Sequence, residues 1–249
     1  MKPHYELSGP PDAPVVVLGN SLGTTTAMWE RQLPVLQRRF RVLRYDHRGH
    51  GGSPAPDGPY RIDDLADDVL ELLDALGLAR VSYCGVSMGG MVGMWLAGHA
   101  PERIERLVLC CTAATFPAAR PWLDRAATVR ASGTGAIAPT AVGRWFTPAF
   151  RERSPEVVAA FETGLSEVDD LGYAGCCEAL AVLDLRSVLP AIEAPTAVIA
   201  GAADEATPPD CGRFVADSIP GASFHLVQAA HLANVEAADE VTAIMEAHL

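Results

Sequence analysis

The chain has 249 residues, of which 49% are hydrophobic and 20% charged, so it suits one globular domain with an insertion. Its 31 acidic and 19 basic residues give a formal net charge of −12, which disfavours nucleic acid and anionic membrane as partners. Any anionic substrate would need a local positive group to offset that charge.

The first residues, MKPHYELSGPPDAP, lack the apolar core of a signal peptide, and no run approaches the ~20 apolar residues of a membrane span. The six cysteines contain no C-x-x-C pair, so we expect no zinc site and no other metal. Reduced thiols are then expected, and with them a cytoplasmic location.

Strands and helices alternate in the first part of the chain. Continuous apolar runs predict buried strands at 15–18 and 40–45. Helices are predicted near 28–36 and at 62–76, the second with its apolar residues on one face. In the loop after the second strand, Asp46 and Arg48 are interpreted as a structural ion pair.

The segment Arg80–Gly93, RVSYCGVSMGGMVG, predicts a strand, a sharp turn and the start of a helix. Within it, Gly85-Val86-Ser87-Met88-Gly89 fits G-x-S-x-G, the nucleophile elbow of α/β-hydrolases. Small residues two positions before and after the serine prevent collisions in its strained backbone. Ser87 is therefore the candidate nucleophile.

The strand pattern is interrupted once after this elbow. A strand is predicted at 106–111, and from 113 to 190 prolines, tryptophans and short helical pieces predict an inserted helical cap. Strands at 195–200 and 223–227 then follow, with helices near 210–219 and 237–248. We therefore predict an α/β protein with a mostly parallel sheet between helices, its core formed by residues 1–112 and 191–249.

In this fold the acid and the histidine follow the serine, on loops beyond later strands. His231 is the candidate base because it lies between the last strand and the last helix. The other histidines are excluded by position: His4, His47 and His50 precede the serine, His99 is ~18 Å along the elbow helix, His225 is inside a strand and His248 is beside the last residue.

Asp204 is the candidate acid, because Gly201-Ala202-Ala203-Asp204 directly follows a buried strand. Glu205 is the reserve, and the loop at 111–115 contains no carboxylate. The backbone N–H groups of Leu22, in the loop after the first predicted strand, and of Met88 are the candidate oxyanion donors. These residues predict acyl transfer through a serine ester, with no cofactor.

The sequence resembles the 3-oxoadipate enol-lactonases over nearly its whole length. Two segments in the cap and an asparagine at position 20 are the most specific features of this resemblance. The matching segments are Asn20–Thr24, RYDHRGHGGS at 44–53, CGVSMGGMVG at 84–93, RWFTPAF at 144–150, GYAGCCEAL at 172–180 and PTAVIAGAADEATPP at 195–209.

The resemblance implies hydrolysis of a small anionic enol-lactone to 3-oxoadipate in the breakdown of protocatechuate and catechol. It matches the family's triad at Ser87, Asp204 and His231, and it implies that Trp145 lines the substrate pocket. Arg144 is a candidate for the substrate carboxylate only through its adjacency to Trp145, and consecutive helical residues face different directions. A homo-oligomer is compatible with this sequence.

Two alternatives stay open at this point. The same triad would serve another small-molecule hydrolase, such as an esterase, a different lactonase or a carbon–carbon bond hydrolase. The fold could also carry a non-enzymatic ligand receptor, since a fold does not determine a function.

Overall fold

The structure is a computed structural model that describes residues 1–249, and a single seven-stranded sheet organises it. The strands are β1 (Tyr5–Ser8), β2 (Val15–Gly19), β3 (Arg41–Tyr45), β4 (Val81–Val86), β5 (Ile104–Cys110), β6 (Thr196–Gly201) and β7 (Ser223–Val227). The strand order is β1-β3-β2-β4-β5-β6-β7, and only β1 runs antiparallel to its neighbour.

The predicted strands are confirmed, and all of them except β7 are apolar runs that the sheet largely buries. The strand β7 lies at the edge of the sheet and buries only Val227. Every residue of β4 and of β6 is buried, as expected for central strands of a sheet that is covered on both faces. The short strand β1 was not predicted. Its sequence YELS is half exposed, and it pairs antiparallel with β3 at the edge of the sheet.

The chain has eleven α-helices, several of which pack against the sheet, and this arrangement confirms the predicted α/β class. None of them combines the length and the apolar character that crossing a membrane requires. The helices are α1 (Leu33–Leu36), α2 (Ile62–Ala75), α3 (Met88–His99), α4 (Arg120–Ser132), α5 (Ala138–Gly143), α6 (Pro148–Arg153), α7 (Pro155–Ser166), α8 (Asp170–Ala181), α9 (Pro209–Ser218), α10 (Ala233–Glu236) and α11 (Ala238–His248).

The single helix expected near 28–36 is wrong. A 3₁₀ turn over Thr26–Trp29 and the one-turn helix α1 take its place. Pro34 explains the break, because a proline ring clashes with the carbonyl four residues earlier and offers no N–H to continue a helix.

The expected ion pair between Asp46 and Arg48 is also wrong. Asp46 accepts hydrogen bonds from the Thr26 N–H at 2.8 Å and pairs with His4 Nδ1 at 2.9 Å. Arg48 Nε instead donates to Asp68 on α2 at 2.6 Å. Both charges find partners distant in sequence, which local spacing in a loop does not reveal.

Five helices, α4 to α8, lie between β5 and β6, and all seven strands lie outside residues 113–190. At the base of this insertion the Leu185 N–H donates to the Ala114 carbonyl at 2.8 Å, beside a single β-bridge between Thr115 and Asp184. We call residues 113–190 the cap, and their separation from the core as a unit stays a prediction.

Candidate active site

Ser87 occupies the turn between β4 and α3 with φ 54° and ψ −115°. A non-glycine residue rarely has a positive φ, so neighbouring contacts must hold this backbone in place. The Ser87 N–H donates to the Cys110 carbonyl at 2.9 Å, and the Thr112 hydroxyl donates to the Ser87 carbonyl at 2.8 Å. A Cβ at Gly85 would lie 2.3 Å from the carbonyl carbon of Gly89, so this turn needs glycine there.

The Ser87 hydroxyl makes no hydrogen bond to a protein group, although the residue is only 8% exposed. Its backbone is therefore fixed, while its Oγ is free to meet a substrate. Hydrogen bonds between a nucleophile and its base are often long before substrate binds, so a missing bond to His231 does not exclude that pairing.

His231 and Asp204 form a buried pair. The distance from His231 Nδ1 to Asp204 Oδ2 is 2.8 Å, and each residue is 3% exposed. The reserve acid Glu205 is exposed, and His231 Nδ1 forms its ion pair with Asp204 instead. A carboxylate bonded to Nδ1 leaves Nε2 of the imidazole available to accept a proton, which is the arrangement that a general base needs.

Burial alone would raise the pKa of Asp204, but the neighbouring His231 and several hydrogen bonds hold it below its ordinary value. The Ala206 N–H donates to Oδ1 at 2.8 Å, and Thr207 donates from its N–H at 3.0 Å and from its hydroxyl at 2.8 Å. Asp204 therefore stays ionised and can stabilise a charged imidazole.

The serine loop and the histidine loop meet at Cys110 and Cys111. The Cys110 carbonyl holds the Ser87 N–H, and the Cys111 sulfur lies 3.8 Å from the Ala230 carbonyl, beside His231. Cys111 has φ 46°, a second positive value on a non-glycine residue, at the end of β5. The sheet thus brings the three candidate residues to the carboxyl ends of β4, β6 and β7.

The loop after β2 presents the candidate oxyanion donor. The Ser21 N–H points to the Met28 sulfur at 3.4 Å and the Gly23 N–H donates to His50 Nε2 at 2.9 Å, whereas the Leu22 N–H between them has no hydrogen-bond acceptor. The Gly89 N–H donates to the Asn20 carbonyl at 3.0 Å and joins this loop to the start of α3.

Met88 is the first residue of α3, and the first N–H groups of a helix have no acceptor within the helix. Its N–H and that of Leu22 therefore lie on two segments that a backbone hydrogen bond holds together. This placement suits an oxyanion hole, and the role of the two donors stays a prediction.

The cap contacts the histidine loop through Trp145. The Leu232 N–H donates to the Trp145 carbonyl at 3.0 Å, and Trp145 is only 6% exposed. A Cβ on Gly23 would lie 3.3 Å from that ring, so Trp145 also lies against the candidate oxyanion loop. Arg144 is exposed and makes no ion pair, so the structure does not bring its side chain to the other candidates.

Glu236 makes a second link between the cap and the histidine loop. Its carboxylate accepts from the Thr147 hydroxyl, from the Thr147 N–H at 3.1 Å and from the Ala230 N–H at 3.1 Å. Sequence reasoning missed this residue because the partners are far apart in the chain. It also missed Thr112 and His50, whereas Thr207 could have been found as a hydroxyl three residues after the candidate acid.

Comparisons with known proteins agree on one family. The sequence model of a family described as alpha/beta hydrolase fold matches residues 14–238. A protein of Acinetobacter baylyi named 3-oxoadipate enol-lactonase 2 is 45% identical over 233 residues, which cover 94% of this chain and 87% of that protein.

Two solved structures extend this similarity. The enol-lactonase from Burkholderia xenovorans has a TM-score of 0.97 and 44% identity, with 99% of this chain and 95% of that chain covered. A thermophilic esterase from Thermogutta terrifontis has a TM-score of 0.92 and 30% identity, with 98% of this chain and 91% of that chain covered.

Proposed function

We propose that this chain, which belongs to the α/β-hydrolase family, hydrolyses 3-oxoadipate enol-lactone to 3-oxoadipate through an ester on Ser87. One observation carries the choice of substrate, namely the near full-length similarity to a 3-oxoadipate enol-lactonase. The buried pair of His231 and Asp204 supports the choice of reaction.

In the first step Ser87 Oγ attacks the lactone carbonyl carbon while His231 Nε2 takes the hydroxyl proton. Asp204 holds the imidazole through Nδ1 and stabilises the positive charge that develops on the ring. The N–H groups of Leu22 and Met88 receive the carbonyl oxygen as it becomes an oxyanion. Removing one such donor typically costs about 3 kcal/mol of transition-state stabilisation.

The ring then opens when the bond between the carbonyl carbon and the ring oxygen breaks. The leaving oxygen departs as an enolate and takes the proton from His231, so the acyl group remains on Ser87 with an enol at its far end. An enolate leaves more readily than an alkoxide, so this step needs little assistance from proton donation by the His231 imidazolium. Water, deprotonated by His231, then attacks the acyl carbon, and the bond from that carbon to Ser87 Oγ breaks as Oγ takes the proton back from His231. The released enol tautomerises to the ketone.

The substrate is a small anion, and we propose that Trp145 covers it from the cap, since its ring lies against Gly23 of the oxyanion loop. Arg144 stays a candidate for the substrate carboxylate. The six cysteines are all free, which suits the reducing cytoplasm, and we propose that the enzyme acts there.

The test generates the enol-lactone in situ and follows the loss of its ultraviolet absorbance. We expect turnover by the wild type, and a fall of about 10⁴-fold or more in kcat for Ser87→Ala and for His231→Ala, since triad members act as a unit. Full activity of Ser87→Ala would show that the nucleophile is assigned wrongly.

The similarity to an esterase structure favours a second candidate, an esterase that acts on other small esters. If the wild type cleaves aryl esters but leaves the enol-lactone intact, this second candidate replaces the first while the triad remains. A protein that binds the lactone without turning it over would instead be a receptor built on this fold.

A further inference from the structure

His50 lies beneath the candidate oxyanion loop and is fully buried, yet the mechanism above does not use it. Both of its ring nitrogens are bonded: Nε2 is 2.9 Å from the Gly23 nitrogen, and Nδ1 is 2.9 Å from the Arg48 carbonyl oxygen. The Gly23 N–H can only donate, so Nε2 must accept. Nδ1 therefore carries the hydrogen and donates to Arg48, which defines one neutral tautomer.

The surroundings of His50 keep this tautomer neutral. Burial lowers its pKa, although the hydrogen bond to the Arg48 carbonyl and the charges of Asp46 and Asp169 oppose that shift. The ring of His47 lies 6.3 Å away and the ring of Tyr173 also 6.3 Å. A protonated His50 would turn a hydrogen toward the Gly23 N–H, and the contact would become repulsive.

The loop is a turn in which the Thr24 N–H donates to the Ser21 carbonyl at 3.2 Å, while the Leu22 and Gly23 N–H groups make no backbone hydrogen bond. Gly23 has φ +83°, a region in which glycine moves between conformations with little penalty. A rotation about φ of Gly23 would reorient the Leu22–Gly23 peptide group and would move Leu22 with it. The bond to His50 Nε2 opposes that rotation and leaves the Leu22 N–H without a partner.

We propose that His50 is a positioning residue for the oxyanion hole. Its Nε2 holds the Gly23 N–H, and the loop then keeps the Leu22 N–H free for the developing oxyanion. The inference rests on the proposed function, because it assumes that Leu22 is an oxyanion donor.

The cap takes part in the same arrangement. The Tyr173 ring of α8 stacks on His50 with 29° between the ring planes, and a Cβ on Gly23 would lie 3.3 Å from that ring. The Asp169 N–H donates to the Gly49 carbonyl at 3.0 Å, next to His50 in sequence. The imidazole is thus enclosed between the oxyanion loop and the cap, and its own position is set by both.

The experiment compares two polar variants that differ in reach. His50→Gln places an amide oxygen near the position of Nε2, whereas the shorter side chain of His50→Asn reaches only the position of Nδ1. His99→Leu, at an exposed histidine on α3, is the matched control. Each protein is assayed on the enol-lactone and on an aryl ester, and is titrated with phenylboronic acid, which forms a tetrahedral adduct on an active serine.

We expect His50→Asn to lower kcat by about 100-fold with KM nearly unchanged, since a shift of about 1 Å in a positioned group costs about that much. The dissociation constant for phenylboronic acid should rise by a similar factor, because the adduct also needs the oxyanion donors. His50→Gln should recover most of both losses, and His99→Leu should match the wild type. Thermal unfolding establishes that each variant is folded.

The proposal is overturned if His50→Asn leaves the affinity for phenylboronic acid unchanged, or if Gln and Asn at this position behave alike in folded protein. Failure of the proposed function gives a different result. If the wild type cleaves the aryl ester but not the lactone, the proposed substrate is wrong, and the effect of the His50 variants is then measured with the aryl ester. If the wild type turns over neither compound, the proposed function is wrong, and the titration with phenylboronic acid alone decides the role of His50.

Discussion

Asp204 keeps its charge inside the protein because four hydrogen bonds reach its two oxygens. Two come from the N–H groups of Ala206 and Thr207, one from the Thr207 hydroxyl and one from His231. The Thr207 hydroxyl and His231 Nδ1 share the same oxygen, Oδ2. Thr207 therefore helps to decide how the carboxylate faces the imidazole.

Thr207→Val should lower kcat by about 10-fold while KM changes little. The substitution removes one hydrogen bond to a charged group, which contributes about 1.5 to 3 kcal/mol, and leaves the two backbone donors in place. Steady-state kinetics on the enol-lactone measure the change. Thr207→Ser keeps the hydroxyl and should stay close to the wild type; an equal loss in both variants would contradict this role.

The helix α8 docks closely on the loop after β3, and two glycines make that approach possible. A Cβ on Gly172 would lie 2.5 Å from the Gly49 Cα and 2.9 Å from the Arg48 carbonyl oxygen. Backbone on both sides leaves no flexible side chain that could move away. This contact is therefore a tight point in the attachment of the cap to the core.

Gly172→Ala should destabilise the protein by about 1 to 3 kcal/mol, the usual cost of overpacking, and should lower activity through the displaced cap. Gly164→Ala on α7 is the matched control, because a Cβ there meets nothing within 4 Å. In that open helical position alanine should stabilise by about 0.5 to 1 kcal/mol. Urea unfolding of both variants measures the difference, and equal stabilities would refute the tight contact.

Elements that bury a continuous apolar run were predictable from the sequence, as β4 and β6 show, because their pattern alone excludes a solvent-facing strand. The edge strand β1 was not, since YELS becomes a strand only through its pairing with β3. The single helix predicted near 28–36 is wrong because Pro34 interrupts it.

In the candidate site, too, some residues could be predicted from the sequence and others could not. Chain order and the ends of buried strands select Ser87, Asp204 and His231 from the sequence. The groups that hold them are selected by tertiary contact: Thr112 lies 25 residues from Ser87, and Thr147 lies 89 residues from Glu236. No local pattern carries information over such separations, so these supporting residues emerge only from the structure.

At the scale of the whole molecule, the net charge of −12 opposes an anionic substrate. Salt screens charges beyond about 8 to 10 Å near physiological strength, so it should weaken this repulsion. We expect kcat/KM for the anionic enol-lactone to rise about twofold or more between low and moderate salt. A neutral aryl ester assayed in parallel should not respond. A fall with salt would instead indicate that a positive group near the site dominates.

Buried neutral histidines should make stability depend on pH. Burial lowers the pKa of His47 to about 3, and the pKa of His50 is also lowered. In the unfolded chain both bind protons below about pH 6.5, so unfolding is favoured as pH falls below that value, and for His47 this continues down to about pH 3. The free energy of unfolding should fall by up to about 1.4 kcal/mol per pH unit for each histidine. Asp204, whose pKa is lowered, adds a further loss only below about pH 4.

Urea unfolding at intervals from pH 8 to pH 5 tests this dependence. His47→Gln should flatten the slope below pH 6.5 and leave the slope above pH 7 unchanged. Parallel curves for the variant and the wild type over the whole range would show that His47 does not remain neutral in the folded protein.

The insertion of the cap between β5 and β6 also has a consequence for the order of folding. Pairing of Cys110 with Ile199 closes a loop of roughly 90 residues, at an entropic cost of about 4 kcal/mol if that loop were unstructured. A folded cap shortens the effective loop between Cys110 and Ile199, because a backbone hydrogen bond already joins Ala114 and Leu185 at the base of the cap. The cap should therefore form before the last two strands dock, and the acid and the histidine on the loops after those strands would reach the serine at the end of folding.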